Sequence, residues 1–153
     1  MKSEHQFPEM ADNATKSELR STWEKAAPGW VKWEHEFSAG LSAATDTLLE
    51  MAGIRPGMRV LDLACGAGNQ TTQTAKRVGP GGSIVACDIS ATMLDHVRQS
   101  ATAAGLQNIE TLECAADELG LMLFPSPSKG LMAVQRVLKP GARFAALVFN
   151  YAR

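Results

Sequence analysis

Val60-Leu61-Asp62-Leu63-Ala64-Cys65-Gly66-Ala67-Gly68 carries a β-rich apolar run straight into a small, glycine-bearing turn. Met58 extends the apolar run backward, and Asn69, Gln70, Thr71 and Thr72 open a helical pattern ahead of it. A buried parallel strand that ends this way delivers backbone amides to a helix N-terminus. There the amides and the helix dipole hold a polar or anionic ligand group. The turn residues are small because such a ligand approaches the main chain directly. A glycine pair after a strand is a weak signal by itself. Asp62 inside the strand, and a second acid further on, strengthen it.

That second acid is Asp88. It closes the apolar run Ser83-Ile84-Val85-Ala86-Cys87-Asp88, which follows the turn Gly79-Pro80-Gly81-Gly82. Its distance from Gly68 fits one helix plus a turn, so a βαβ unit puts Asp88 at the C-terminal tip of the neighbouring strand. At that place a carboxylate accepts hydrogen bonds from both hydroxyls of a ribose. The other reading makes Asp88 the N-cap of the next helix, a part Ser90 fills equally well.

A dinucleotide loop requires G-x-G-x-x-G, and counting from Gly66 puts Thr71 where the third glycine belongs. Counting from Ala64 instead gives Ala64, Gly66 and Gly68. With Asp62 ahead of it, this pattern resembles the first motif of class I S-adenosylmethionine (SAM)-dependent methyltransferases. Asp88-Ile89-Ser90-Ala91-Thr92-Met93-Leu94 resembles the segment after the second strand of that family, and Cys114-Ala115-Ala116-Asp117-Glu118-Leu119 its third-strand loop. Arg136-Val137-Leu138-Lys139-Pro140-Gly141-Ala142-Arg143-Phe144 resembles the helix, turn and fifth strand of the ubiquinone/menaquinone-biosynthesis-like branch. The likeness runs from about Trp23 to the end.

The resemblance implies a Rossmann-like α/β fold with a parallel sheet, helices on both faces, and SAM as cofactor. It implies that the backbone of Ala64, Cys65, Gly66, Ala67 and Gly68 receives the methionine part and that Asp88 takes the ribose. Ile89, Met93, Ala115 and Ala116 would contact adenine, while Asp62 shapes the loop and orients the amino end. Three departures stand out. Ala64 replaces the first glycine. Ala115-Ala116 replaces an Asp-Ala pair, so the adenine acceptor is lost or supplied by Asp117. Finally, Leu119 runs directly into Gly120-Leu121-Met122-Leu123-Phe124-Pro125, and the sequence stops at Arg153. The expectation is an internally deleted, C-terminally shortened methyltransferase, incomplete relative to the seven-stranded fold.

The 153 residues, 45% of them hydrophobic, suffice for one core of ordinary size. A formal net charge of −1 with intermixed signs points away from nucleic acid and from polybasic membrane contact. No apolar run approaches the ~20 residues of a membrane span, and the first residues lack an apolar signal region. A cytoplasmic protein is expected. Cys65, Cys87 and Cys114 each fall at or beside a strand end. Their spacing fits no zinc pattern, so they are expected as small buried thiols close enough to the cofactor for thiol reagents to disturb it.

Along the chain, residues 1–15 read as a mobile tail, 16–53 as an N-terminal helical lid, and 54–153 as a Rossmann-like SAM-binding domain. A short helix is expected from Ser17 to Ala26, broken at Pro28-Gly29, and another from about Ser42 to Met51. Helices at Asn69–Val78, 91–104 and 128–138 alternate with strands at Ser83–Cys87, Ile109–Glu113 and Arg143–Phe149. Trp23, Trp30, Trp33 and Phe37 either line the substrate side of the lid or fill a core against the 42–51 helix. His5, His35 and His96 show no pattern of a catalytic base, and no catalytic residue is assigned. Methyl transfer needs alignment and a dry site more than a nucleophile–base pair.

The leading functional expectation is a SAM-dependent methyltransferase acting on a small molecule. The alternative is a non-catalytic SAM-binding or interaction module. An NAD-dependent oxidoreductase is disfavoured by Thr71 and Asp62. The six residues Ala115–Gly120 reach roughly 20 Å when extended, too little for the crossover a parallel fourth strand requires. Leu121–Phe124 is therefore not expected to form that strand within its own chain. The result would be a gap beside the first strand and a homodimer that exchanges strands or the Ser128–Arg153 unit.

Overall fold

The computed structural model describes residues 16–114 and 127–147. Eight elements follow in order. Two helices lead, α1 (Lys16–Lys32) and α2 (Glu34–Met51). The unit β1 (Arg59–Leu63), α3 (Asn69–Val78), β2 (Ser83–Asp88), α4 (Ala91–Ala103) and β3 (Ile109–Glu113) comes next. Helix α5 (Pro127–Val137) comes last. The three strands form one parallel sheet in the order β1-β2-β3, with Val60 opposite Ile84 and Ile84 opposite Ile109. This is the Rossmann-like α/β architecture that the alternation of strands and helices predicts.

Alternation along the strands sorts their residues onto two faces. Ile84 and Ala86 are both fully buried, and they lie on one face with Val60 and Ile109. Helix α3 seals one end of that face through Ala75 and Val78, and α4 seals the other through Leu94 and Val97. Asn108 fastens the assembly by donating from Nδ2 to the carbonyls of Ala75 and Gly79 at 3.0 and 2.9 Å, which satisfies the end of α3. The opposite face carries Leu61 and Leu112, 45% and 51% exposed. Among the described residues, the helices on the sheet cover one face only.

Four expectations change. Helix α1 does not break at Pro28-Gly29 but continues to Lys32. An interior proline lacks the N–H for the carbonyl four residues back and crowds that carbonyl with its ring, a cost of about 3 kcal/mol that α1 carries at this exposed position. The chain turns instead at Trp33 (φ −102°, ψ 12°), so α2 begins eight residues before Ser42. Residues 142–147 follow the Lys139–Ala142 turn and form no strand with any other described residue. Helix α5 starts at Pro127, whose fixed φ and missing N–H suit a first turn, and not at Ser128. The expected tail (1–15), the adenine-loop residues Ala115, Ala116 and Asp117, and the Leu121–Phe124 segment lie outside the described residues.

Candidate functional site

The carboxyl ends of β1 and β2 bring the two acids and the glycine loop together. Cys65 N donates to Cys87 O at 2.9 Å, which ties the loop to the neighbouring strand. Ala64 has φ +55°, the only positive φ of a non-glycine residue in the described chain. Alanine is strained there by roughly 1–2 kcal/mol, so the position held by the motif's first glycine keeps a glycine-like backbone. Gly66 and Gly68 follow at φ +53° and +90°. A side chain at Gly66 would meet nothing within 4 Å, so this turn opens onto free space. At Gly68 a Cβ would lie 2.6 Å from Val97 Cγ2. Gly68 must therefore be small for α4 to pack against the start of α3, a packing reason that the sequence does not offer.

Asp88 is buried and both of its oxygens are engaged. Oδ2 accepts from Gly66 N and Oδ1 from Ser90 N, each at 2.9 Å. Ser90, not Asp88, caps α4 by accepting from Met93 N at 3.1 Å. Asp88 is thus the brace between the two loops, with lone pairs left over for ribose hydroxyls. Asp62 accepts from Thr71 Oγ1 at 2.6 Å. Burial, with repulsion from nearby Asp88 adding to it, pushes its carboxyl up to about 6, against the lowering effect of the Thr71 hydroxyl.

Of the five amides expected to meet a ligand, those of Cys65, Gly66 and Gly68 already donate within the protein, to Cys87 O, Asp88 Oδ2 and Cys65 O. The donors left for a ligand are those of the first turn of α3. Ile89 and Met93 are buried, packed inside rather than presented to solvent. Burial also raises the thiols of Cys65 and Cys87, the latter to about 12, which leaves both poorly nucleophilic; Cys114 is half-buried.

Two contacts at this end were not legible in the sequence. From α1, Glu24 Oε1 accepts from Thr92 N at 3.3 Å, and Arg20 pairs with Glu113 at the tip of β3. The first helix therefore lies across the start of α4. Of the aromatic set, Trp30, Trp33 and Phe37 do not fill a core against the 42–51 helix. Trp30, Trp33 and Phe37 are 41%, 51% and 48% exposed and line an open hollow of about 170 Å³ with Ala26 and Gly29. Thr71 was also missed as a partner of Asp62. The available signal was a hydroxyl in the first turn of a helix that packs back on the strand carrying the acid.

Amide donors at a helix N-terminus, flanked by two carboxylates, suit a zwitterion that also carries hydroxyls. A parallel α/β sheet with these groups at its carboxyl end has the Rossmann-like fold of the SAM-dependent methyltransferases. The ubiE/COQ5 methyltransferase family matches residues 42–152, and the chain belongs to that family. Its cofactor is S-adenosyl-L-methionine.

The chain is 35% identical over 117 residues to the ubiquinone/menaquinone biosynthesis C-methyltransferase UbiE of Teredinibacter turnerae, covering 67% of this chain and 47% of that one. It spans about half the length of the curated relatives it matches. Among solved structures it resembles a SAM dependent methyltransferase from Aquifex aeolicus (TM-score 0.56, 22% identity, 84% of this chain and 69% of that one). It also resembles the [4+2]-cyclase SpnF (TM-score 0.69, 18% identity, 86% and 60%). These two likenesses speak for the fold alone, and the cyclase is a reminder that a fold does not fix a reaction.

Proposed function

We propose that this chain binds SAM at the carboxyl ends of β1 and β2 and transfers its methyl group to a small molecule. The observation that carries the reading is the Asp88 brace, one buried carboxylate joining the glycine loop to the start of α4 beside an open turn at Gly66. The cofactor supplies an electrophilic methyl on a sulfonium. The chain's residues bind and orient it. Amides of the first turn of α3, beside the Ala64–Gly68 loop, take the methionine carboxylate. Asp62 takes the ammonium and Asp88 the ribose diol. Ile89 and Met93 form the apolar floor under adenine, with Ala115 and Ala116 on its edge. Residues 16–53 serve as the helical lid of this domain, supported by the reach of Arg20 and Glu24 to the strand tip and to α4.

The names of the relatives favour a carbon atom of a quinone precursor as methyl acceptor. Free cysteines fit a reducing, cytoplasmic setting, and no described helix is long and apolar enough to cross a membrane. The second reading, a non-catalytic SAM-binding or interaction module, is favoured by the half-bare sheet. In the described residues β1 pairs on one side only, and Leu61 and Leu112 are exposed beside it. The same observation supports a homodimer formed through exposed or exchanged strands.

Calorimetric titration with SAM, S-adenosylhomocysteine and NAD tests the cofactor, and methyl release over a panel of acceptors separates enzyme from binding module. The reading expects SAM and S-adenosylhomocysteine to bind and NAD not to. Binding of NAD alone by the folded protein would overturn it.

A further inference from the structure

Four threonines in the helices of this protein turn their hydroxyls onto their own backbone, and Thr71 does not. Thr22, Thr47, Thr74 and Thr102 each donate to the carbonyl four residues back in their own helix, the usual choice for a helical threonine. Thr71, fully buried in the first turn of α3, gives its proton to Asp62 Oδ2 on β1, at 2.6 Å. Among the described residues, the groups that face Asp62 offer it no positive charge. Asp88 and Cys87 come from β2 and Cys65 from the loop, and α3 contributes the Thr71 hydroxyl. Among the described residues Thr71 is thus the one side-chain donor to this carboxylate.

We infer that Thr71 is a positioning residue: its hydroxyl holds the Asp62 carboxylate in place and in the ionised form that pairs with the cofactor's ammonium group. The inference rests on the cofactor reading given above. Burial works against the charged form of Asp62, and the Thr71 hydroxyl is the contact that works for it. Removal of the hydroxyl leaves burial and Asp88 repulsion unopposed, so the protonation midpoint of Asp62 moves up. Proton uptake then competes with the cofactor at a higher pH than in the wild type. The position is the one at which a dinucleotide loop would carry its third glycine, so a hydroxyl there also separates this loop from that class.

Calorimetric titration of the full chain with S-adenosylhomocysteine between pH 5.5 and 9 tests this. Wild-type affinity should be level at high pH and fall by up to about tenfold per pH unit once Asp62 protonates. In Thr71→Val the fall should begin roughly one pH unit higher, with affinity converging on wild type near pH 9, and Thr71→Ser should track wild type. A Thr71→Val profile that coincides with wild type, or lies below it by the same factor at every pH, overturns the inference, the second outcome marking a structural role only. A folded wild type that binds no S-adenosylhomocysteine overturns the cofactor reading and this inference with it. If Thr71→Val does not fold, the carboxyl carbon-13 shift of Asp62 in ligand-free Thr71→Ala and Thr71→Ser decides. The account requires a higher midpoint in Thr71→Ala, and equal midpoints overturn it.

Discussion

The two faces of one three-stranded sheet have different fates in this molecule. On the face bearing Ile84 and Ala86, α3 and α4 close every gap, and the same helices aim their N-termini at the site. On the other, Leu61 and Leu112 stand about half exposed, and β1 has no second neighbour among the described residues. The contrast separates what the β1–β3 segment folds and holds by itself from what it leaves for other chain to cover. On the proposed reading, cofactor binding belongs to the first kind, since every group assigned to the methionine and ribose parts lies between Asp62 and Asp88, and acceptor binding and assembly belong to the second.

Mutations on the two faces should break or confirm the contrast. The largest effects belong to the closed side. Gly68→Val drives a side chain into Val97 at a left-handed φ, and strain plus overpacking should cost about 3–5 kcal/mol in denaturant unfolding. Ile84→Ala should cost about 2–5 kcal/mol. Leu61→Ala, one strand over and on the open face, should cost less than about 1 kcal/mol. Equal losses at Ile84 and Leu61 would mean that the open face is covered in solution, and a concentration-dependent melting temperature would then identify a second copy as the cover.

Next in size is the brace. Asp88→Ala orphans the amides of Gly66 and Ser90 and should lower stability by about 2–4 kcal/mol. A fully stable Asp88→Ala would show that the two loops do not depend on the carboxylate.

Asp62 gives a smaller effect of opposite sign. Its midpoint in the folded protein, about 6, lies above the unfolded value. The folded state therefore holds the proton more tightly, and this group's contribution to stability is full below about pH 4 and lost as pH rises through 6. Asp62→Asn should remove that loss and be more stable than wild type by about 1–2 kcal/mol at pH 8, while binding SAM at least tenfold more weakly. Urea melts at pH 4.5 and 8 check the sign. The smallest expected effect is at Ala64, where φ is +55°. Ala64→Gly relieves the left-handed strain and should raise stability by about 1 kcal/mol.

The closed side was legible in the sequence because its signals are local. Strand, glycine turn and capped helix follow one another within the reach of neighbouring residues, and the boundaries of α3 and β3 fall where Asn69, Val78, Ile109 and Glu113 place them. What was not legible depends on partners distant in the chain. The packing reason for Gly68 shows only once Val97 is seen against it. Asp88 reads as a free strand-tip acid until two amides are found on it. Pro28 reads as a helix end, yet α1 carries it and runs on to Lys32. Trp30, Trp33 and Phe37 read as core or lid by composition, and their exposure follows from an elbow between α1 and α2 with no buried residue between Ala27 and Thr45.

The central claim, that the Asp62–Asp88 segment is a SAM site organised by Asp88, is tested most directly with Asp88→Asn. Asparagine keeps the size of the side chain and one acceptor oxygen but removes the charge on which the ribose diol depends. Calorimetric titration of S-adenosylhomocysteine into wild type and variant, both shown folded by circular dichroism, should give binding to wild type. The variant should be weaker by about 1.5–3 kcal/mol, roughly ten- to a hundredfold. Equal affinity in the two proteins, or no binding to folded wild type, would contradict the account.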